Sequence, residues 1–210
     1  MIGAEINRLS LGKISNVYEN NLMKKERVKK LDNSRNEIWE WAKSLLIGIL
    51  LMVLIRTFIL TPIVVDGASM NTTLMDHDRM IVNKLDKPER FDIVVFHASE
   101  TEDYIKRVIG LPGDRIEYKD DTLYINGAAY EEPYLDEQKN NTPGLLTKNF
   151  TLEDTPVAAA TVPEGEIFVM GDNRAYSKDS RMIGAIPLDQ VIGTTNIVFW
   201  PVGEMKLIRH

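Results

Sequence analysis

One apolar run dominates the hydrophobic pattern of the chain. Ser44–Val65 comprises 22 residues with a single charged side chain, Arg56. A helix over Trp39–Thr61 would span roughly 34 Å at ~1.5 Å per residue, enough to cross a hydrocarbon core of ~30 Å. Pro62 ends such a helix because it has no backbone N–H and clashes with the preceding turn. The pattern therefore predicts one transmembrane helix within residues 38–62.

The basic residues around this segment predict its orientation. Residues 1–37 carry eight Lys and Arg, whereas the next basic residue after Arg56 is Arg79. This asymmetry predicts a basic cytoplasmic tail over 1–37 and an extracytoplasmic domain over 63–210. A cleaved signal peptide is the alternative, but the apolar run starts late and Asp66–Ala68 is a poor small-x-small cleavage site.

The remainder of the chain has the pattern of a β protein. Segments rich in β-branched and aromatic residues are separated by turn residues, which predicts strands. Two short segments flank Lys119–Asp121 and predict a hairpin. Residues 128–161 are acidic and show no clear period, so they predict a loop-rich insertion. The expected fold class is mainly β, with an antiparallel sheet preceded by one helix. The strand segments are Arg79–Lys84, Phe91–Ala98, Tyr104–Leu111, Asp114–Tyr118, Thr122–Asn126, Glu166–Met170 and Val191–Trp200.

Composition excludes several classes of function. The net charge is −6 and the pI is about 5.2, which argues against nucleic acid as a partner. The chain has no Cys, so disulfides, thiolate catalysis and Cys-based metal sites are excluded. Its three His residues show no metal-ligand spacing. We expect neither a metal nor a cofactor.

Ser69 stands in the first of three segments that carry chemistry. A short apolar strand leads into Asp66–Met70, where Gly67 permits close backbone approach and Ser69 is presented on a turn. Backbone N–H groups of such a turn can hold an oxyanion. An ordinary turn at the end of a strand is the alternative interpretation.

Lys106 stands in the second segment, Tyr104–Asp114. Strand alternation puts Lys106 on one face with Tyr104 and Val108, and Ile105 with Arg107 on the other. Burial of an amine lowers its pKa, which would make Lys106 a general base. A surface Lys-Arg pair on an edge strand is the alternative.

The third segment, Gly171–Arg181, follows an apolar strand and is dense in polar side chains. Asp, Asn and Ser can tie a loop to its own backbone, and Asp179 with Arg181 or Asp172 with Arg174 can form ion pairs. Such a loop could hold a Ser hydroxyl against the Lys106 amine. A solvated turn is the alternative, and a calcium loop is disfavoured by the spacing.

Together these segments resemble the bacterial type I signal peptidases. The resemblance rests on Gly67–Leu74 (GASMNTTL), Tyr104–Asp114 (YIKRVIGLPGD) and Gly171–Arg181 (GDNRAYSKDSR), with support from Asp78–Lys84 and Asp92–Phe96. It covers roughly residues 38–200. The short insertion is similar to that of Gram-positive members. Thr72 stands where the family motif has Pro.

The resemblance implies a role for each matching residue. Ser69 would be the nucleophile and Lys106 its general base. Ser177 would hydrogen-bond to the Lys106 amine and orient it, while Asp179 and Arg181 would form a structural ion pair that supports the loop. The Ser69 N–H would contribute to the oxyanion hole, and Gly67 supplies no second hydroxyl donor.

The resemblance also implies a substrate and a location. The enzyme would be anchored in the cell membrane and would cut signal peptides from exported preproteins, in the neighbourhood of the export machinery. An extended substrate would pair beside Ile63–Val65, and shallow pockets would select Ala-x-Ala. The residues expected to line these pockets are Ile63, Val65, Met70, Tyr104 and Ile105; plain core packing is the alternative for them.

Three other functions fit parts of the sequence. A self-cleaving Ser-Lys repressor would need a DNA-binding domain, and residues 1–37 contain no convincing helix-turn-helix. A Ser-His-Asp hydrolase would use His77 or His97. An inactive anchored homologue would act as a binding module, which the presence of both Ser69 and Lys106 argues against.

Overall fold

The structure is a computed structural model that describes residues 23–25 and 39–208. The chain divides into two compact units, Met1–Leu54 and Ile55–His210. The predicted tail lies outside the described residues, apart from the helical residues 23–25.

Helix α1, Trp39–Phe58, is the apolar element of the sequence. It has 20 residues with exposed side chains, and its length and composition are sufficient to cross a membrane. It ends three residues before the predicted limit, Thr61. Strand pairing is the reason, because Leu60 and Thr61 lie opposite Asn83 and Val82 in an antiparallel ladder. Pro62 therefore lies inside a strand instead of ending the helix.

Eight strands of the second unit form one antiparallel sheet. They are β1 (Leu60–Val64), β2 (Arg79–Asn83), β3 (Ile93–His97), β4 (Asp103–Gly110), β9 (Glu166–Met170), β10 (Ile186–Pro187), β11 (Val191–Trp200) and β12 (Lys206–Leu207). The strand order is β1-β2-β11-β3-β4-β9-β10, with β12 paired to β11. β1 is therefore an edge strand, whereas β4 lies inside the sheet.

A second antiparallel sheet has four strands. They are β5 (Ile116–Lys119), β6 (Thr122–Ile125), β7 (Ala128–Tyr130) and β8 (Phe150–Thr151), in the order β7-β6-β5-β8. The hairpin β5–β6 turns at Asp120 and Asp121, whose φ values of 49° and 61° belong to the left-handed region that two-residue hairpin turns require.

The segment 128–161 contains short elements between its loops. After β7 come a 3-10 turn at Pro133–Leu135, helix α2 (Asp136–Asn141), strand β8 and a second 3-10 turn at Leu152–Asp154. Helix α3 (Ser180–Ile183) follows later in the chain. The fold class expected from the sequence, a mainly antiparallel β protein preceded by one apolar helix, is confirmed.

The apolar core supports the turn that follows β1. Met70 and Leu74 are fully buried there and pack with Val65 and Met80. Burial of such a side chain stabilises the fold by about 1.5–3 kcal/mol. The backbone between Val65 and Leu74 is therefore fixed by the core beneath it.

Candidate active site

Ser69 lies in a turn that begins where β1 ends. Gly67 takes a φ of 93°, which favours glycine, and its N–H donates to the carboxylate of Asp76 at 2.9 Å. Asn71 N–H donates to the Ala68 carbonyl, and Leu74 N–H donates to the Met70 carbonyl. The turn therefore has a fixed backbone on both sides of the Ser69 hydroxyl.

Lys106 in β4 reaches this hydroxyl. Its Nζ donates to Ser69 Oγ over 2.8 Å and to the Ile105 carbonyl over 2.9 Å. The Tyr104 ring lies beside the amine, with its centroid 5.0 Å from Nζ. Lys106 is 3% exposed. The structure thus joins two residues that are 37 positions apart in the sequence.

Burial changes the proton affinity of this amine. The pKa of Lys106 falls from 10.5 to about 8 because burial penalises the charged form, although Asp179 and Asp172 act in the opposite direction. Each of these carboxylates forms an ion pair with an arginine, Asp179 with Arg181 and Asp172 with Arg107, which weakens its effect on the Lys106 amine. A much larger fraction of Lys106 is therefore neutral near pH 7 than of an exposed lysine.

The segment 171–181 packs against the turn that carries Ser69. Asn173 N–H donates to the Ser69 carbonyl, and its amide Nδ2 donates to the Ala68 carbonyl, each at 3.0 Å. A Cβ at Gly171 would overlap the Ser177 hydroxyl and would lie 2.6 Å from the Ser69 carbonyl. Only a glycine fits at this close approach.

Asp179 and Arg181 form a bidentate ion pair in the same segment. Arg181 Nε and Nη2 donate to the two carboxylate oxygens, each at 2.8 Å. Burial opposes the charged carboxylate, but Arg181 and the Gly171 N–H hold the pKa of Asp179 below its ordinary value. The ion pair that the sequence predicted is therefore present.

Ser177 is buried beside Gly171 and lies near Asp179. Its hydroxyl makes no hydrogen bond to Lys106, whose Nζ is bonded to Ser69 and the Ile105 carbonyl. The predicted orienting role of Ser177 stays a prediction.

An open cleft of about 350 Å³ runs past the Ser69 hydroxyl. It is bordered by the end of β1, the turn that carries Ser69, the first half of β4, and the side chains of Tyr176 and Lys178. Val65 and Met70 also belong to the core, so their side chains serve packing as well. The five residues expected to line substrate pockets all border this cleft: Ile63, Val65, Met70, Tyr104 and Ile105.

A Ser-His-Asp hydrolase would require His77 or His97 beside Ser69, but both histidines lie next to other residues. His97 Nδ1 lies 2.7 Å from Asp103 Oδ1 in an exposed pair, and His77 is exposed with its Nε2 3.5 Å from Asp76. The hydrogen bond of the Ser69 hydroxyl is made with Lys106.

One suggested ion pair was wrong. Asp172 does not pair with Arg174. It makes a fully buried bidentate pair with Arg107, at 2.9 and 2.6 Å, and Arg174 pairs with Glu132 at 2.6 Å. Asp172 and Arg174 are neighbours in sequence, but the Arg174 side chain points toward the four-stranded sheet, where it donates a hydrogen bond to the Tyr118 hydroxyl.

Sequence reasoning also missed the polar cluster around Glu132. The buried carboxylate accepts hydrogen bonds from Tyr118 and Tyr134 at 2.7 Å each, in addition to that from Arg174. Burial opposes its charge, but Arg174 keeps the pKa of Glu132 below its ordinary value. No sequence signal identified Glu132, because it stands in a polar segment without periodicity.

A hydroxyl beside a buried amine, at the wall of an open cleft, fits the class of serine peptidases. Comparison with known proteins identifies the family: the model for "Signal peptidase, peptidase S26" matches residues 38–200. The chain belongs to the signal peptidase family, as the sequence resemblance predicted. It is therefore a serine peptidase of the kind that cleaves signal peptides.

Individual relatives support the same family. The chain is 42% identical over 180 residues to signal peptidase IB of Staphylococcus aureus strain COL, and 44% identical over 177 residues to signal peptidase I of Bacillus caldolyticus. Each match covers 82% of this chain and 94% of the relative. A crystal structure of a signal peptidase I from Enterococcus faecalis V583 is 46% identical, with a TM-score of 0.50. That match covers 52% of this chain and 97% of the other.

Proposed function

We propose that this chain is a membrane-anchored signal peptidase in which Ser69 is the nucleophile and Lys106 is the general base. The observation that carries the proposal is the 2.8 Å hydrogen bond between Lys106 Nζ and Ser69 Oγ, made by an amine that is almost fully buried. A serine hydroxyl is a weak nucleophile until an adjacent base accepts its proton. A Ser-Lys pair is a recognised variant of that arrangement.

The first half of the reaction forms an acyl-enzyme. Neutral Lys106 takes the proton from Ser69 Oγ while the oxygen attacks the scissile carbonyl carbon. The Ser69 N–H, at the fixed turn, stabilises the oxyanion that develops. The Lys106 ammonium then gives its proton to the leaving amine, and the C–N bond breaks. The signal peptide remains attached to Ser69 as an ester.

The second half repeats the proton transfers with water. Lys106 takes a proton from a water molecule, whose oxygen attacks the ester carbonyl. The tetrahedral intermediate collapses, the C–O bond to Ser69 breaks, and the proton returns to Ser69 Oγ. The signal peptide leaves with a new carboxylate, and the dyad is restored.

The ion pair of Asp179 and Arg181 supports this chemistry electrostatically. A free carboxylate at Asp179 would raise the pKa of Lys106 and keep the amine charged. Because Arg181 neutralises much of that charge at 2.8 Å, Lys106 remains a usable base near pH 8. Ser177, buried next to this pair, is proposed to orient the amine when substrate is bound.

The substrate is proposed to lie extended along the free edge of β1. An edge strand offers backbone N–H and C=O groups to an added strand. Ile63 and Val65 of that region, with Met70, Tyr104 and Ile105, border the cleft beside Ser69. Shallow apolar pockets of this kind admit small side chains, so we propose Ala-x-Ala as the preferred cleavage motif.

The N-terminal part of the chain supports the proposed location of the enzyme in the cell membrane. Helix α1 is long and apolar enough to cross a bilayer, and only β1 and a short turn separate its end from Ser69. We infer a single span with a cytoplasmic N-terminus, because the Lys and Arg residues concentrate before α1. The substrates would be secretory preproteins emerging near the export machinery.

The test is cleavage of a labelled preprotein by the full-length enzyme in membrane vesicles. We expect Ser69→Ala and Lys106→Met to insert normally and to lose activity by at least about a thousandfold. The double variant His77→Gln/His97→Gln is the control and should retain wild-type activity. Near-normal cleavage by Lys106→Met would refute the dyad, and loss of activity in the histidine variant would favour a Ser-His-Asp site.

A further inference from the structure

Gln138 of helix α2 makes two hydrogen bonds that join separate parts of the site. Its side-chain Nε2 donates to the Asn71 carbonyl at 2.9 Å and to the Asp172 carbonyl at 3.1 Å. Asn71 lies two residues after Ser69, whereas Asp172 is the second residue of segment 171–181. Both N–H groups of one amide are therefore used to connect the turn that carries Ser69 to segment 171–181.

Asp172 extends this connection to the strand that carries the base. Its carboxylate holds Arg107 by two hydrogen bonds, and Arg107 is the neighbour of Lys106 in β4. This ion pair is completely buried. A displacement of the Asp172 backbone is therefore transmitted to β4 next to Lys106. Gln138 is thus bonded directly to the turn that carries Ser69 and is linked, through the Asp172–Arg107 ion pair, to the strand that carries Lys106.

Helix α2 is itself held firmly in place. Glu132, just before it, is bonded to Arg174 at 2.6 Å, and Leu135 is fully buried. Lys139, next to Gln138, donates to the Asp121 carbonyl at 2.9 Å. The Gln138 amide therefore projects from a fixed helix. A fixed helix is required if this amide is to hold the Asn71 and Asp172 backbones at a constant distance.

We propose that Gln138 is a positioning residue, which keeps the Ser69 turn and segment 171–181 at the spacing that proton transfer between Ser69 and Lys106 requires. The inference rests on the proposed function of that dyad. It assigns a role in the active site to the polar segment between β7 and β8. Small displacements of reacting groups reduce rates strongly, by up to roughly a hundredfold for 1 Å.

The test compares variants of the full-length enzyme in membranes. Gln138→Met keeps the length of the side chain and removes both donors; Gln138→Glu also removes them and keeps the side chain polar. We expect kcat to fall roughly 10- to 100-fold in each, with KM within twofold of the wild type. Asn140→Met, at an exposed position of the same helix, is the matched control and should change neither constant.

Thermal unfolding and a serine-directed phosphonate distinguish positioning from general destabilisation. For the two Gln138 variants we expect a nearly unchanged melting temperature but slower labelling of Ser69, in proportion to the loss in kcat. Wild-type kcat in both Gln138 variants, or an equal loss in Asn140→Met, would overturn the inference. If those variants are fully active while Ser69→Ala and Lys106→Met are inactive, the positioning role alone has failed. If Lys106→Met is active, the dyad itself has failed.

Discussion

Lys106 is protonated in the unfolded chain at neutral pH, and the folded protein must take that amine out of water. Its pKa is 10.5 when solvated and about 8 in the folded protein. The difference of roughly 2.5, at ~1.36 kcal/mol for each tenfold change in proton affinity, corresponds to about 3 kcal/mol. We therefore predict that Lys106→Met, although inactive, is more stable than the wild type near neutral pH by about this amount.

The stability difference between Lys106→Met and the wild type depends on pH, because the folded and unfolded states of the wild type bind the Lys106 proton with different affinity. Below pH 8 both states carry it, and the full cost of burying the charge is present. Between pH 8 and 10.5 the unfolded chain holds more protons than the folded protein, so the stability of the wild type rises with pH. The advantage of Lys106→Met should fall to roughly 1.4 kcal/mol at pH 9.5.

The assay is thermal unfolding of the full-length protein in detergent, followed by circular dichroism at pH 6.5 and 9.5. For a protein of this size, 3 kcal/mol corresponds to an increase of about 6–12 °C in Tm at the lower pH. Lys148→Met, which removes an exposed lysine, is the control and should give no pH-dependent difference. A Lys106→Met variant no more stable than the wild type at pH 6.5, or an advantage equal at both pH values, would refute the reasoning.

Two further predictions concern activity and the buried polar cluster. The kcat/KM of the wild type should rise about tenfold per pH unit below pH 8 and level off above it, as Lys106 loses its proton; a profile that is flat from pH 6.5 to 8.5 would contradict a lysine base. Arg174→Leu should destabilise the protein by about 3–5 kcal/mol, because the buried Glu132 carboxylate loses its 2.6 Å ion pair with Arg174 and is left with the longer 4.0 Å ion pair to Lys139. Thermal unfolding measures that loss, and a Tm within about 2 °C of the wild type would contradict it.

Local patterns predicted most of the sheet. Period-two segments rich in Val and Ile specify strands wherever they are bounded by turn residues, so Glu166–Met170 and Val191–Trp200 match β9 and β11 in full. The end of α1 was misplaced because the apolar pattern continues through Leu60 and Thr61. Those residues leave the helix to pair with β2, and a partner 20 or more positions away is invisible to a local pattern.

The pairing of Ser69 with Lys106 was accessible to sequence reasoning, whereas the polar contacts around it were not. Ser69 and Lys106 each lie within a distinctive local segment. Strand alternation placed Lys106 on one face with Tyr104 and Val108 but left open whether that face was buried; both Lys106 and Arg107 are buried in the structure. Glu132 and Gln138 occupy a polar stretch without periodicity, and their contacts exist only after the small sheet packs beside segment 171–181. Contacts made by such polar side chains cannot be predicted from hydrophobic periodicity.

Two outer strands of the large sheet, β1 and β10, share a feature that affects how readily the protein aggregates. β1 contains Pro62 and β10 contains Pro187, and β10 is only two residues long. A proline on an outer strand removes a donor that a strand from another molecule would use, which discourages intermolecular sheet growth. The edge of β1, along which we propose that the substrate lies, is thereby less able to pair with a strand from another copy of the protein.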